Sequence, residues 1–149
     1  MDYQQILENI YQAIQPYAKE GKQADYIPAL AQVNPDQFGM CIHTVYGEIY
    51  SIEQADTRFS IQSISKVFAL AMCLSLQGDE LWKRVGKEPS GTAFNSLIQL
   101  EVEKGIPRNP FINAGAIVLT DILIKPLEHP EEEFLAFVRA IAGDATLEY

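Results

Sequence analysis

The chain has 149 residues, 48% of them apolar, and its 20 acidic against 11 basic side chains leave a net charge of −9 at pH 7. That length supports one domain with a real core, while the acidic balance, unbroken by any run of Lys or Arg, excludes nucleic acid and anionic membrane as partners. The longest apolar stretch, VFALAMCL, is far short of the ~20 residues of a spanning helix, and MDYQQILENIYQAI lacks the basic-then-apolar order of a secretory signal, so a soluble chain is expected.

Residues 3–20 read as an amphipathic helix on the spacing of Ile6, Ile10, Ile14 and Tyr17, with Asp2 placed to cap its start and Gly21 following its end. YIPALAQV (26–33) reads as a short helical turn entered through Pro28, and NPD (34–36) turns the chain. FGMCIHTV and EIYSI are strand-like and flank Tyr46-Gly47, which predicts a hairpin. Cys41 and Cys73 both lie in apolar runs and are expected to be buried, reduced thiols, as suits a cytoplasmic protein.

From Ser63 to about Leu76 a helix follows with apolar residues on nearly every side, which predicts central burial, and Gly78 ends it. Residues 80–85 add a turn, GKEPSG (86–91) is loop chemistry, and TAFNSLIQLEVEKG stays open between helix and irregular structure. NPFINAGAIVLTDIL (109–123) starts a second apolar helix in which Ala114, Gly115 and Ala116 permit close backbone approach. Pro126 and Pro130 bracket a loop before PEEEFLAFVRAIAG, an amphipathic helix with acids in its first turn. The fold class is α+β: helices and one hairpin. Two strands make a marginal sheet, so the chain is expected to be incomplete.

Ser63 and Lys66 stand three residues apart at the mouth of the apolar helix, so both project from one face. A lysine there faces the positive end of the helix dipole and calls for compensation. Serine is a poor nucleophile without a base, and a lysine becomes one where desolvation or a helix terminus disfavours its charged form. The same terminus offers N–H groups to a developing oxyanion. Against this, a Ser-x-x-Lys spacing arises about once by chance in a chain this long, Ser63 serves equally well as a helix cap, and Lys66 can snorkel. Asn113, opening the small-residue helix, either presents its amide to a polar ligand or caps the helix. Tyr26, in its proline-bearing turn, is a pocket residue or a half-buried aromatic.

Together and in order, GKQADYIPALAQVNPD, IQSISKVF, VGKEPSGTAFN and NPFINAGAIV resemble the serine-dependent glutaminases of the β-lactamase-like superfamily, from about Gly21 to Thr120. The resemblance implies a β-lactamase/transpeptidase-like fold and hydrolysis of L-glutamine to L-glutamate and ammonia through a glutamyl-enzyme ester. It assigns Ser63 as nucleophile, Lys66 as proton acceptor, Asn113 to the amino-acid end of the substrate, Tyr26 to the pocket and its chemistry, and Gln62 to a substrate contact. It further implies a homo-oligomer. The Ser-Asp-Asn and Lys-Thr-Gly elements of the wider superfamily are absent. Glutaminases also carry later Glu, Asn and Tyr binding residues and an oxyanion loop. Residues 1–149 are therefore expected to be the N-terminal part of a single glutaminase domain, inactive alone. Another Ser–Lys hydrolase of the superfamily, or an assembly partner without activity, are the competing readings. His43 and His129 have no zinc-ligand spacing, Glu131, Glu132 and Glu133 read as a helix first turn, and no cofactor or metal is expected.

Overall fold

A computed structural model describes residues 1–91, 93, 101 and 103–149. The chain forms two compact units, Met1–Ser60 and Ile61–Tyr149.

In the first unit, helix α1 spans Tyr3–Ile14 and the Asp2 carboxylate caps it by accepting from the Gln5 N–H at 3.0 Å. The expected extension to residue 20 does not occur. Pro16 has no N–H to continue the ladder, and the chain tightens into a 3₁₀ turn over Gln15–Tyr17. A second 3₁₀ turn, Leu30–Gln32, lies in the predicted YIPALAQV segment. The Gln23 side-chain amide donates to the carbonyls of Leu30 (2.6 Å) and Val33 (2.7 Å) at that turn.

Strands β1 (Gly39–His43) and β2 (Ile49–Glu53) pair antiparallel with Cys41 opposite Ser51. Their turn closes through Thr44 N–H to Glu48 C=O at 2.9 Å, with Gly47 at φ 86°. The period-2 alternation half-buries Met40 and Ile42 opposite Ile52 and Tyr50. Helix α1 lies against the hairpin, its Tyr3 ring 5.4 Å from that of Tyr50, and Tyr11 stacks on Phe38 at 5.3 Å. Cys41 belongs to the opposite set and is exposed. The expectation that both thiols are buried is thus corrected for Cys41, since an apolar run in a two-stranded ribbon still turns every second residue outward.

In the second unit, a 3₁₀ turn (Gln62–Ile64) runs into helix α2 (Ser65–Gln77), which Gly78 ends at φ 55°. A further 3₁₀ segment follows over Gly78–Lys83, then helices α3 (Asn113–Ile124) and α4 (Pro130–Ala142). Helix α4 starts with the Glu133 carboxylate accepting from the His129 N–H at 2.9 Å, while the Glu133 N–H donates to the His129 carbonyl. Met72, Cys73, Leu81, Val85, Leu119, Ile122 and Leu123 form the core, with Phe134 and Phe137 packed on it.

Helix α2 is less enclosed than its composition predicts. Only Met72 and Cys73 are buried, while Val67 is 53% and Leu76 45% exposed. The core lies against one face of α2, leaving Val67 and Leu76 outside it. The α+β class with one hairpin is as expected, whereas TAFNSLIQLEVEKG falls largely outside the described residues. No helix among the described residues is long and apolar enough to cross a membrane.

Candidate functional site

The mouth of α2 is built from a kink followed by two tight turns. Gln62 takes φ 44°, a left-handed value rare for a residue with a side chain. The Ile64 N–H then donates to the Ile61 carbonyl at 2.9 Å and the Ser65 N–H to the Gln62 carbonyl. The Ser65 hydroxyl also donates to the Gln62 carbonyl at 2.7 Å. Two of the N–H groups expected to serve an oxyanion are therefore engaged by the 3₁₀ turn itself. Ser63 sits exposed in the middle of that turn. The cap position of α2 falls on Ile64, without a side-chain cap bond, so Ser63 is not spent as a helix cap.

Lys66 finds the compensation its position calls for. Its half-buried side chain reaches across to the start of α3, where Nζ donates to the Phe111 carbonyl at 3.0 Å and to Asn113 Oδ1 at 2.8 Å. Both acceptors carry partial negative charge, and charge-assisted bonds of this kind are stronger than neutral ones. Lys66 also lines a mainly apolar groove of about 280 Å³ with Ala69, Ala116, Leu123 and Phe134, where the Tyr149 hydroxyl donates to the Glu131 carbonyl at 2.5 Å.

Asn113 is the first residue of α3 rather than its cap, a position that falls on Ile112. The turn leading into α3 is held by Asn109, which the sequence reading left without a role. Its Oδ1 accepts from the N–H groups of Phe111 (3.0 Å) and Ile112 (3.2 Å), and its Nδ2 donates to the Glu88 carbonyl at 2.9 Å. The Asn-Pro dipeptide is a turn signal and was the one clue available. The helix closes against this turn because position 115 is glycine: a Cβ there would lie 2.0 Å from the Asn109 carbonyl oxygen. The GKEPSG loop enters the same assembly. The Gly86 N–H donates to the Pro107 carbonyl at 2.7 Å and the Glu88 N–H to the Arg108 carbonyl at 2.9 Å. A Cβ on Gly86 would approach the Arg108 oxygen to 2.6 Å.

Of the five residues singled out in the sequence, the structure joins Lys66 to Asn113 and sets Gln62 and Ser63 one turn before Lys66. Tyr26 belongs to the first unit, where it is 77% exposed on the bend before Leu30–Gln32. No cluster of metal-ligating side chains occurs among the described residues.

A helix mouth with serine and lysine one turn apart, in a chain whose described residues form helices and one hairpin, invites comparison with Ser–Lys hydrolases. The solved structure of ybaS, described as a probable glutaminase, superposes with a TM-score of 0.83 at 35% identity over 91% of this chain and 44% of its own. The solved structure of Mglu in its tris and glutamate form gives a TM-score of 0.74 at 38% identity, covering 96% of this chain and 32% of that one. Among curated relatives, the glutaminase of Paraburkholderia phytofirmans is 56% identical over 149 residues, which is all of this chain and 49% of that protein. The chain spans about half the length of the curated relatives it matches. The glutaminase family model matches residues 21–149. The chain belongs to the glutaminase family.

Proposed function

We propose that this chain carries the nucleophile and its base for hydrolysis of L-glutamine to L-glutamate and ammonia. Ser63 Oγ attacks the side-chain amide carbon while Lys66 Nζ, acting as the neutral amine, takes the hydroxyl proton and then, as the ammonium so formed, passes it to the leaving nitrogen, which departs as ammonia. Water then attacks the glutamyl ester, its proton moving through Lys66, and glutamate and the free Ser63 hydroxyl are restored. By family resemblance Asn113 is assigned to the amino-acid end of the substrate, where fixed polar groups match a zwitterion, Gln62 to a substrate contact and Tyr26 to the pocket. This chemistry is a plain hydrolysis and calls on no cofactor.

The observation that carries the reading is the 2.8 Å bond from Lys66 Nζ to Asn113 Oδ1, which unites two motifs 47 residues apart. The family membership and a structural relative in its glutamate form support the choice of substrate. We further assign residues 1–149 to the N-terminal part of a single glutaminase domain, in a cytoplasmic homo-oligomer. The test is made on the full-length protein with an electrophilic glutamine mimic. Intact mass should show one acylation that disappears in Ser63→Ala, and ammonia release from glutamine should vanish with it. Labelling that persists in Ser63→Ala refutes the assignment.

A further inference from the structure

We propose that Asn109 is a positioning residue for Lys66, acting through the backbone of the turn before α3. The proposal deepens the reading above, because it takes Lys66 as the group that moves the proton. Lys66 Nζ is aimed by two acceptors, the Phe111 carbonyl at 3.0 Å and Asn113 Oδ1 at 2.8 Å, and both belong to one short stretch of chain. That stretch carries no regular structure before Asn113, so something must fix the direction of the Phe111 carbonyl.

Asn109 does so from both ends of its amide. Oδ1 ties down the N–H groups of Phe111 and Ile112, which sets the plane of the peptides on either side of Phe111. Nδ2 fastens the turn to the Glu88 carbonyl, on a segment that is itself bonded to Pro107 and Arg108. The chain cannot slide toward α3 to escape, since the Asn109 carbonyl already occupies the space where a side chain at position 115 would stand. The side-chain bonds of Asn109 end on Phe111, Ile112 and Glu88. Its influence runs through the Phe111 carbonyl and the placement of Asn113, and therefore falls on the chemical step rather than on substrate affinity.

The test pairs kinetics with a readout that needs no turnover. In the full-length protein, acylation of each lysine by a small anhydride is followed by peptide mass, using Lys83 and Lys125 as references because each has a carboxylate partner, Glu80 and Asp121. Asn109→Ala should raise the Lys66 rate about two- to tenfold over both references, the range that one hydrogen bond is worth. It should lower kcat roughly 10- to 100-fold, as a misplaced catalytic group does, with KM within about twofold. Asn109→Ser, whose hydroxyl accepts from the same N–H groups more weakly, should fall between Ala and wild type on both measures.

A folded Asn109→Ala protein with an unchanged Lys66 rate overturns the proposal, and so does an equal rise at all three lysines. Should the Ala variant not fold, a Ser variant labelled at the wild-type rate overturns it. Absence of glutamine turnover in the wild-type protein would refute the proposed function, while the lysine labelling would still decide the role of Asn109.

Discussion

Lys66 stands at the helix end that repels it and is held there by two oxygens from another segment. Lys66→Ala should therefore reduce kcat on the order of 10²-fold or more with little change in KM, as loss of a general base does in steady-state ammonia release. Asn113→Ala has a mixed expectation, because its Oδ1 is already engaged by Lys66. A hydrogen bond to a charged group is worth roughly 1.5–3 kcal/mol, or about one to two decades. That loss should divide between weaker glutamine binding and slower turnover, and a normal kcat would show that the bond to Lys66 has no catalytic role. The two thiols differ in the same local way. Cys73 is buried against the Leu119 carbonyl, and burial pushes its thiol from 9.0 up to about 11. A disulfide reagent should label Cys41 at once and Cys73 only on unfolding. Because folded Cys73 keeps its proton to higher pH than unfolded Cys73, its contribution to stability is intact below pH 9 and is lost between pH 9 and about 11. Cys73→Ala should remove that part of the slope in denaturant titrations.

At the scale of elements, the second unit depends on how closely α3 can lie against the turn that precedes it. Gly115→Ala places a carbon 2.0 Å from the Asn109 oxygen, with Pro110 Cα at 2.8 Å, both of them backbone that cannot turn aside. Overpacking of this kind destabilises by about 1–3 kcal/mol, measurable as a lower denaturant midpoint, and it should disturb Lys66 as well because the same turn carries Phe111. The small-residue run Ala114-Gly115-Ala116 announced close approach, but not what approaches. Elements governed by neighbours in sequence were legible: the Asp2 cap, the hairpin around Tyr46-Gly47 and the stop at Gly78. What was hidden depends on distant partners. Asn109 meets Glu88 across 21 residues and Lys66 meets Asn113 across 47, separations that no local pattern encodes. The outward turn of Cys41 was legible in principle, since period-2 alternation of the ribbon requires it once the register is known.

At the scale of the whole molecule, apolar surface is the dominant fact. In the second unit Val67, Phe111, Ile117 and Ile124 are each about half exposed or more, at 53%, 49%, 63% and 52%. Where exposed apolar side chains adjoin one another they mark surfaces that bind other surfaces. The 149-residue chain on its own should self-associate or bind a hydrophobic dye. Ile117→Lys should reduce both without lowering the unfolding midpoint, because Ile117 lies outside the core. A chain that sediments as a monomer and leaves the dye dark would contradict this.

The left-handed backbone of Gln62 restricts which sequences can occupy the site, quite apart from what Gln62 touches. Glycine takes such a conformation without penalty, Asn and Asp take it more readily than most, and β-branched residues almost never do. A saturation library at position 62, sorted for folding alone, should thus be enriched in Gly, Asn and Asp and emptied of Val, Ile and Thr. Sorting the survivors again for turnover should remove glycine, whose freedom would let the residue ahead of Ser63 wander. Two sieves with different meshes would then separate what the backbone demands at that position from what the chemistry demands.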